Sequence, residues 1–347
     1  MIKIDIPKSR MEKIKKRHYQ YFKNNYEDKL KEYCSKKHIH HKDLYKYISE
    51  NIRDIIVGEP KVLNEIIKEI EIKFPHLKNK ISNKESKVNE RLKEIFNYSK
   101  FVEHYPIKTK PDRWGAYKLV EELNVNICPY CNRQYVVTYH SDPRGEEEGK
   151  TRPTLDHFFA KKKYPYLALS LYNLIPSCKV CNSDLKGSKE FKYGEYIHPY
   201  EEGFGNSMKF NVLFKRKDEI DSYKNLKYLD FFFGNSDEFD IKLKEKHNKK
   251  IDDKIIEKAK NNKKVFKLEE LYQFHKDRVA ELIKKNIVYS EKRINELHKD
   301  FPQLFRNKED VLKMIISNYI SEDDLDKRIL AKLTKDICEE LELFNYS

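Results

Sequence analysis

The chain has 347 residues, of which 39% are hydrophobic and 37% charged, and a formal net charge of +14. Its 24 Tyr and 19 Phe exclude a disordered chain, and its 9 Gly and 12 Pro exclude collagen-like and linker classes. No apolar run reaches the ~18 residues of a membrane span, and the N-terminus lacks an apolar leader, so the expectation is a cytosolic protein.

Residues 1–100 hold 25 Lys/Arg against 15 Asp/Glu, whereas residues 301–347 hold 7 against 10. A basic surplus asks for a polyanionic partner, most often nucleic acid, unless it reflects only a lysine-rich coding bias.

Residues 1–124 read as a helical, basic N-terminal region. Tyr19, Phe22, Tyr26, Leu30 and Tyr33 recur at helical spacing, as do Leu44, Tyr47, Ile48, Ile52, Ile55 and Ile56. Gly58 can end one helix, Pro60 can open the next, and Pro75 closes it. Further helices are expected near Ser86–Tyr98 and at Ala116–Leu123.

The texture changes in residues 125–205. Tyr135–Tyr139 is β-branched and aromatic and reads as a strand, and Ser141–Gly149 as a polar turn. Thr154–Phe159 reads as a second strand, and residues 178–190 can hold a short helix. In residues 206–347, strands are expected at Phe210–Phe214, Tyr228–Phe233 and Phe239–Leu243, the last two as a hairpin across Gly234-Asn235-Ser236. From Asp252 the chain is helical, most strongly over Leu268–Leu297. Ser321 and Asp324 resemble a capping box opening the last helix. The expected class is α+β, mostly helical with a small central α/β module.

Four of the six cysteines form two C-x-x-C pairs, Cys128/Cys131 and Cys178/Cys181, separated by 46 residues. In a chain without an export signal, two such knuckles point to a closed, tetrahedral, structural zinc site. Cys128-Pro129-Tyr130-Cys131 also matches a glutaredoxin active-site string, but it precedes a strand where redox chemistry needs a following helix. Cys34 and Cys338 fall in helical patterns as small hydrophobes.

Between the knuckles stand Leu155-Asp156-His157-Phe158-Phe159 and, sixteen residues after His157, Asn173; Cys178-x-x-Cys181 is followed at once by Asn182 and later by Lys186. This nested order over residues 128–190 resembles the HNH (ββα-metal) endonucleases that carry a zinc-knuckle frame. The resemblance implies a nuclease module at 125–205, with His157 as general base and Asn173 orienting it. Phosphodiester hydrolysis needs such a base, and a hard divalent ion at the phosphate. Asp156 and Asn182 are the expected oxygen ligands of Mg2+ or Mn2+. Many family members have His where this chain has Asn182.

Lys161, Lys162, Lys163, Lys179, Lys186 and Lys189 surround these motifs and are expected to meet phosphate oxygens. His198 reads either as an extra metal or phosphate contact or as a structural residue. The stretch from Asp156 to Cys178 is similar, more closely, to the HNH nuclease subunits of Septu-type anti-phage systems. That resemblance implies an ABC/SMC-like ATPase partner and a defence role. DNA is the expected substrate, with RNA, tRNA included, left open because a ββα site grips a phosphate and does not choose the sugar. A zinc-dependent nucleic-acid-binding module without cleavage, or an assembly subunit, is the alternative. No G-x-x-x-x-G-K-[ST] loop is present, so ATP hydrolysis by that route is not expected.

Overall fold

The computed structural model describes residues 1–36, 40–104, 112–141, 149–214, 230–246 and 252–342. The chain forms two compact units. The first comprises residues 3–129 and 135–202; the second comprises residues 1–2, 130–134 and 203 onward. The described residues are mostly helical and hold three two-stranded sheets, an α+β composition.

Eight helices build most of the first unit: α1 (Lys8–Ser35), α2 (Lys42–Glu50), α3 (Ile52–Val57), α4 (Pro60–Lys73), α5 (Lys78–Ser82), α6 (Lys87–Ile95), α7 (Tyr98–Glu103) and α8 (Ala116–Leu123). In α1 the buried positions Ile14, His18, Tyr21, Phe22, Tyr26 and Leu30 repeat at three to four residues, giving one apolar stripe. Gly58 follows the last turn of α3, and only glycine fits there because a Cβ would lie 2.3 Å from the Asp54 carbonyl oxygen. Pro60 then takes the first position of α4, where its missing N–H costs nothing. The Ser86 and Asn97 side chains cap α6 and α7 by accepting from Val88 N and Lys100 N.

His18 is buried inside this bundle. Trp114 Nε1 donates to its Nδ1 at 3.1 Å, and its Nε2 meets the Leu169 carbonyl at 2.7 Å. A carbonyl only accepts, so Nε2 carries the proton and the ring is neutral. Burial pushes its pKa down to about 4.

Strands β1 (Tyr139–His140) and β2 (Lys150–Thr151) form a short exposed ladder. Strands β3 (Thr154–His157) and β4 (Leu174–Ser177) pair antiparallel, with Asp156 opposite Ile175 and His157 opposite Leu174. A π-helical turn, Val180–Lys186, follows β4 and ends at Gly187, whose φ of +52° suits glycine.

In the second unit, β5 (Met208–Phe214) and β6 (Phe239–Glu245) form a seven-residue antiparallel ribbon. Phe210, Phe239, Ile241 and Leu243 are buried while Lys244 is exposed. Six helices follow: α9 (Asp253–Val265), α10 (Leu268–Tyr272), α11 (Lys276–Val288), α12 (Glu291–Asp300), α13 (Lys308–Ile316) and α14 (Ala331–Glu340). Helical side chains close both outer edges of the ribbon. Phe210 N and Val212 N donate to Asp336 and Glu340, and Leu243 N and Ile241 N donate to Glu269 and Gln273. Four residues along a helix rise about 6 Å, and two along a strand about 6.7 Å, so the i,i+4 pair matches alternate strand amides. Asp336 is itself paired with Lys332, both fully buried.

Residues 130–134 pack within this unit. Tyr130 stacks on Phe266 at 4.4 Å, and the Tyr272 hydroxyl donates to the Cys131 carbonyl at 2.7 Å. Asn132, at φ +52°, donates to Leu325 O and accepts from Lys332 N.

Several expectations are corrected. Of Tyr135–Tyr139, only Tyr139 enters a strand, and Tyr135 makes a single bridge to Ile127. Residues 142–148 of the expected turn lie outside the described residues. In Tyr228–Phe233 the described residues 230–232 are helical, so β6 pairs with β5 instead. Leu268–Leu297 is broken into α10, a 3-10 turn, α11 and α12. Ser321 makes no side-chain cap, and the last helix begins only at Ala331.

Candidate active site and metal centre

Cys128, Cys131, Cys178 and Cys181 are all buried, and their Sγ atoms lie within 4.8 Å of one another. None forms a disulfide. Arg133 N donates to Cys131 Sγ and Cys181 N to Cys178 Sγ, each at 3.4 Å, the N–H···S pattern that holds a C-x-x-C loop around its sulfurs. Zn–S bonds of about 2.3 Å in a tetrahedron place sulfurs about 3.8 Å apart, so the cluster fits a zinc ion with no position left open.

The β3–β4 ribbon and the turn after it carry the second group. His157 is 7% exposed and Asp156 3%. The His157 Nε2 meets the Ala168 carbonyl at 3.0 Å. That oxygen fixes the tautomer with the proton on Nε2 and the lone pair on Nδ1. Burial, aided by the nearby Lys161 ammonium, pushes the imidazole down to about 3, so it is neutral at pH 7.

Asn173 is fully buried. Its Oδ1 accepts from Phe159 N at 2.7 Å, and its Nδ2 donates to Phe159 O and Leu167 O at 3.1 and 2.9 Å. The amide therefore ties both ends of the loop between Phe159 and Leu167. Its influence on His157 runs through this backbone, and no bond joins the two side chains.

Lys186 was expected among the phosphate contacts. It is 3% exposed, and its ammonium donates to Asp156 Oδ1 at 2.8 Å and to the His157 carbonyl at 2.7 Å. This lysine is an internal strut, because an isolated carboxylate buried this deeply needs a counter-charge.

Asp156, His157 and Lys186 line a cleft of 790 Å³ within the first unit, whereas Asn173 lies behind its lining. Asn182, half-buried, lines it too, along with Lys161, Lys162, Lys163 and Lys189. Lys161 Nζ lies 4.3 Å above the Tyr98 ring, and Lys163 pairs with Glu190 at 2.5 Å. Lys179 is exposed and lies outside the cleft lining.

A 153-residue stretch of the chain is 31% identical to the Septu protein PtuB of Bacillus thuringiensis. The match takes in 43% of this chain and spans about half, 49%, of the relative. No family model matches the sequence, and no solved structure matches it. No helix among the described residues is long and apolar enough to cross a membrane.

His198 lies outside the cleft lining. It is 1% exposed, with its ring 4.3 Å from that of Phe158. Neither ring nitrogen has a partner in good hydrogen-bonding geometry, the Tyr172 backbone gives partial support, and burial pushes the ring down to about 3. Its placement is that of a core histidine behind Phe158.

Two cleft residues carry no motif. Tyr98, from α7, sets its ring 4.5 Å from that of His157 at 74°, edge to face. Burial pushes its hydroxyl up to about 12, against the opposing charge of Arg152. Arg152 sits four residues before Asp156, and its Nε is buried without a hydrogen-bond partner among the described residues. Arg152 forms no ion pair with the described residues; its Nη1 donates to the Pro153 carbonyl at 2.8 Å. Neither residue is marked by spacing; Tyr98 acquires its place only when α7 meets β3, two segments far apart in sequence.

Proposed function

We propose that this protein is a metal-dependent HNH endonuclease that hydrolyses phosphodiester bonds of nucleic acid. The observation that carries the reading is His157: a neutral imidazole with a fixed tautomer, beside a carboxylate, in a cleft lined by lysines. His157 Nδ1 takes the proton of the attacking water, and Asn173 keeps the 159–167 loop, and through it the ring, in place. Asp156 and Asn182 offer a carboxylate and an amide oxygen on the same cleft, the hard donors that suit Mg2+ or Mn2+, with Asp156 shared between the ion and Lys186. When bound, such an ion polarises a phosphate oxygen and eases departure of the leaving group. Lys161, Lys162 and Lys189 supply affinity for the backbone without reading sequence.

The four cysteines hold a structural zinc that frames this module. The similarity to a Septu protein supports a role in anti-phage defence; an ATPase partner is the further part of this proposal. Incubation with plasmid, single-stranded DNA and total RNA, with Mg2+ or Mn2+, and with and without the neighbouring gene product, tests the reading. His157→Ala lowers cleavage by about 10² to 10⁴ while fold and zinc content persist. A His157→Ala protein that cuts at the wild-type rate sinks it.

A second reading, a binding or assembly module without cleavage, is favoured by the Asp156–Lys186 pair, which places a cation on the proposed metal ligand. It is supported if no substrate is cut under any of these conditions.

A further inference from the structure

The cleft lining is mixed in chemistry. Asp156, His157 and the Lys161–Lys163 run give it charge. The stretch from α4 through α7 adds Ile70, Phe74, Tyr98 and Val102, an apolar and aromatic set interspersed with the polar Glu71, Lys78, Asn79 and Ser82. A nucleotide has the same division, with a charged phosphate and a flat apolar base. In a duplex the base faces are stacked on their neighbours, so an apolar wall has nothing to bind; an extruded or single-stranded base presents its face freely. The volume agrees: 790 Å³ lies in the range of about 300 to 1,000 Å³ that small-molecule sites occupy. Lys161 Nζ lies over the Tyr98 ring, and Arg152, its guanidinium 5.4 Å from the Tyr117 ring, lines the same cleft; neither has a carboxylate partner, and the Arg152 Nε has no hydrogen-bond partner, among the described residues.

We propose that the cleft takes an unstacked nucleotide of single-stranded nucleic acid, its base laid against Tyr98 and the Phe74–Val102 wall and its phosphate held by Arg152 and Lys161. This names the substrate class of the site and rests on the nuclease reading for the nature of the polyanion.

The test is fluorescence anisotropy on the zinc-loaded wild-type chain without Mg2+ or Mn2+, so that cleavage does not interfere. The probes are a labelled single-stranded DNA dodecamer, its RNA counterpart and the blunt DNA duplex. At least one single strand binds about tenfold or more tightly than the duplex, and the preferred sugar is the one whose strand binds best. Tyr98→Ala and Arg152→Gln each weaken that strand about tenfold, the scale of one lost base–aromatic stack, and leave duplex binding unchanged. Tyr98→Phe keeps the ring and keeps the affinity, so the comparison survives if Tyr98→Ala folds poorly. Equal or tighter duplex binding overturns the proposal, as does a folded Tyr98→Ala protein with wild-type affinity for the single strands. Single-strand preference without cleavage leaves this inference standing while the nuclease reading falls. Cleavage of duplex without that preference does the reverse.

Discussion

The β3–β4 and β5–β6 ribbons are both antiparallel pairs, and they fill their interiors differently. Along β5–β6 the buried side chains are Met208, Phe210, Phe239, Ile241 and Leu243, and the alternate positions are half-buried or exposed. Along β3–β4 nearly every position is buried, and the buried set includes Asp156, His157 and Ser177, with Asn173 and Lys186 beside them. Each of these polar groups carries a desolvation cost, and most of it is offset by named partners within the ribbon, its loop and the following turn. A ribbon needed only for stability has no use for that cost. The two ribbons part here: the interior of β5–β6 is apolar, whereas that of β3–β4 holds polar groups satisfied by specific partners.

Five perturbations probe this contrast, in falling order of effect. Removing a zinc ligand should be the most severe. Cys178→Ser should lower the melting temperature by on the order of 10 °C or abolish soluble yield, because metal-binding energy is folding energy here. Elemental analysis should find about one zinc per wild-type chain, and a folded, zinc-free wild-type protein would remove the metal centre. Next comes the internal strut. Lys186→Met should cost about 3 to 5 kcal/mol by urea denaturation, since it leaves the Asp156 carboxylate buried without its ammonium. Lys186→Met with Asp156→Asn should recover part of that loss; equal costs for single and double variants would show that the pair is not coupled. Phe210→Ala in β5, the apolar counterpart, should cost a similar 3 to 5 kcal/mol, with no recovery available from a second change.

Acid should act on the first unit through its buried histidines. His18 has a folded pKa of about 4, below its ordinary value, so the unfolded chain binds more protons. The stability it contributes is complete above its ordinary pKa of about 6.5 and is lost as pH falls from there toward about 4. At pH 5 the loss should be on the order of 2 kcal/mol. Denaturation at pH 7.5 and pH 5 checks this, and a His18→Phe protein should show a shallower decline. The smallest effect belongs to the solvent side of β6, where Lys244→Ala should stay within about 0.5 kcal/mol of wild type.

What could be read from the sequence was whatever chemistry residue identity and local spacing carry. The two C-x-x-C pairs come together as four buried thiols, and the 116–123 helix has the expected bounds. Asp156, His157 and Asn182 share one cleft. Alternation gave β6, where one face is wet, but Tyr228–Phe233 misled because an aromatic run satisfies strand and helix patterns alike. Lys186 misled for a different reason. A lysine beside a motif is normally solvated, and only the fold reveals that its ammonium lies under Asp156. Tyr98 was invisible because its place beside His157 depends on two distant segments becoming neighbours.

The carboxylate and amide side chains along both margins of β5–β6 have a consequence beyond stability. A two-stranded ribbon normally leaves outward N–H groups that can pair with any extended chain, whether a binding partner or another unfolding copy. Here Asp336, Glu340, Glu269 and Gln273 already accept from four of those amides. The acceptors are three anions and one amide, so an incoming strand would have to displace charge-assisted bonds to gain ordinary ones. This ribbon is thereby made a poor template for strand addition and for the sheet stacking that leads to aggregates. Any protein that engages the second unit at this point has to grip side chains.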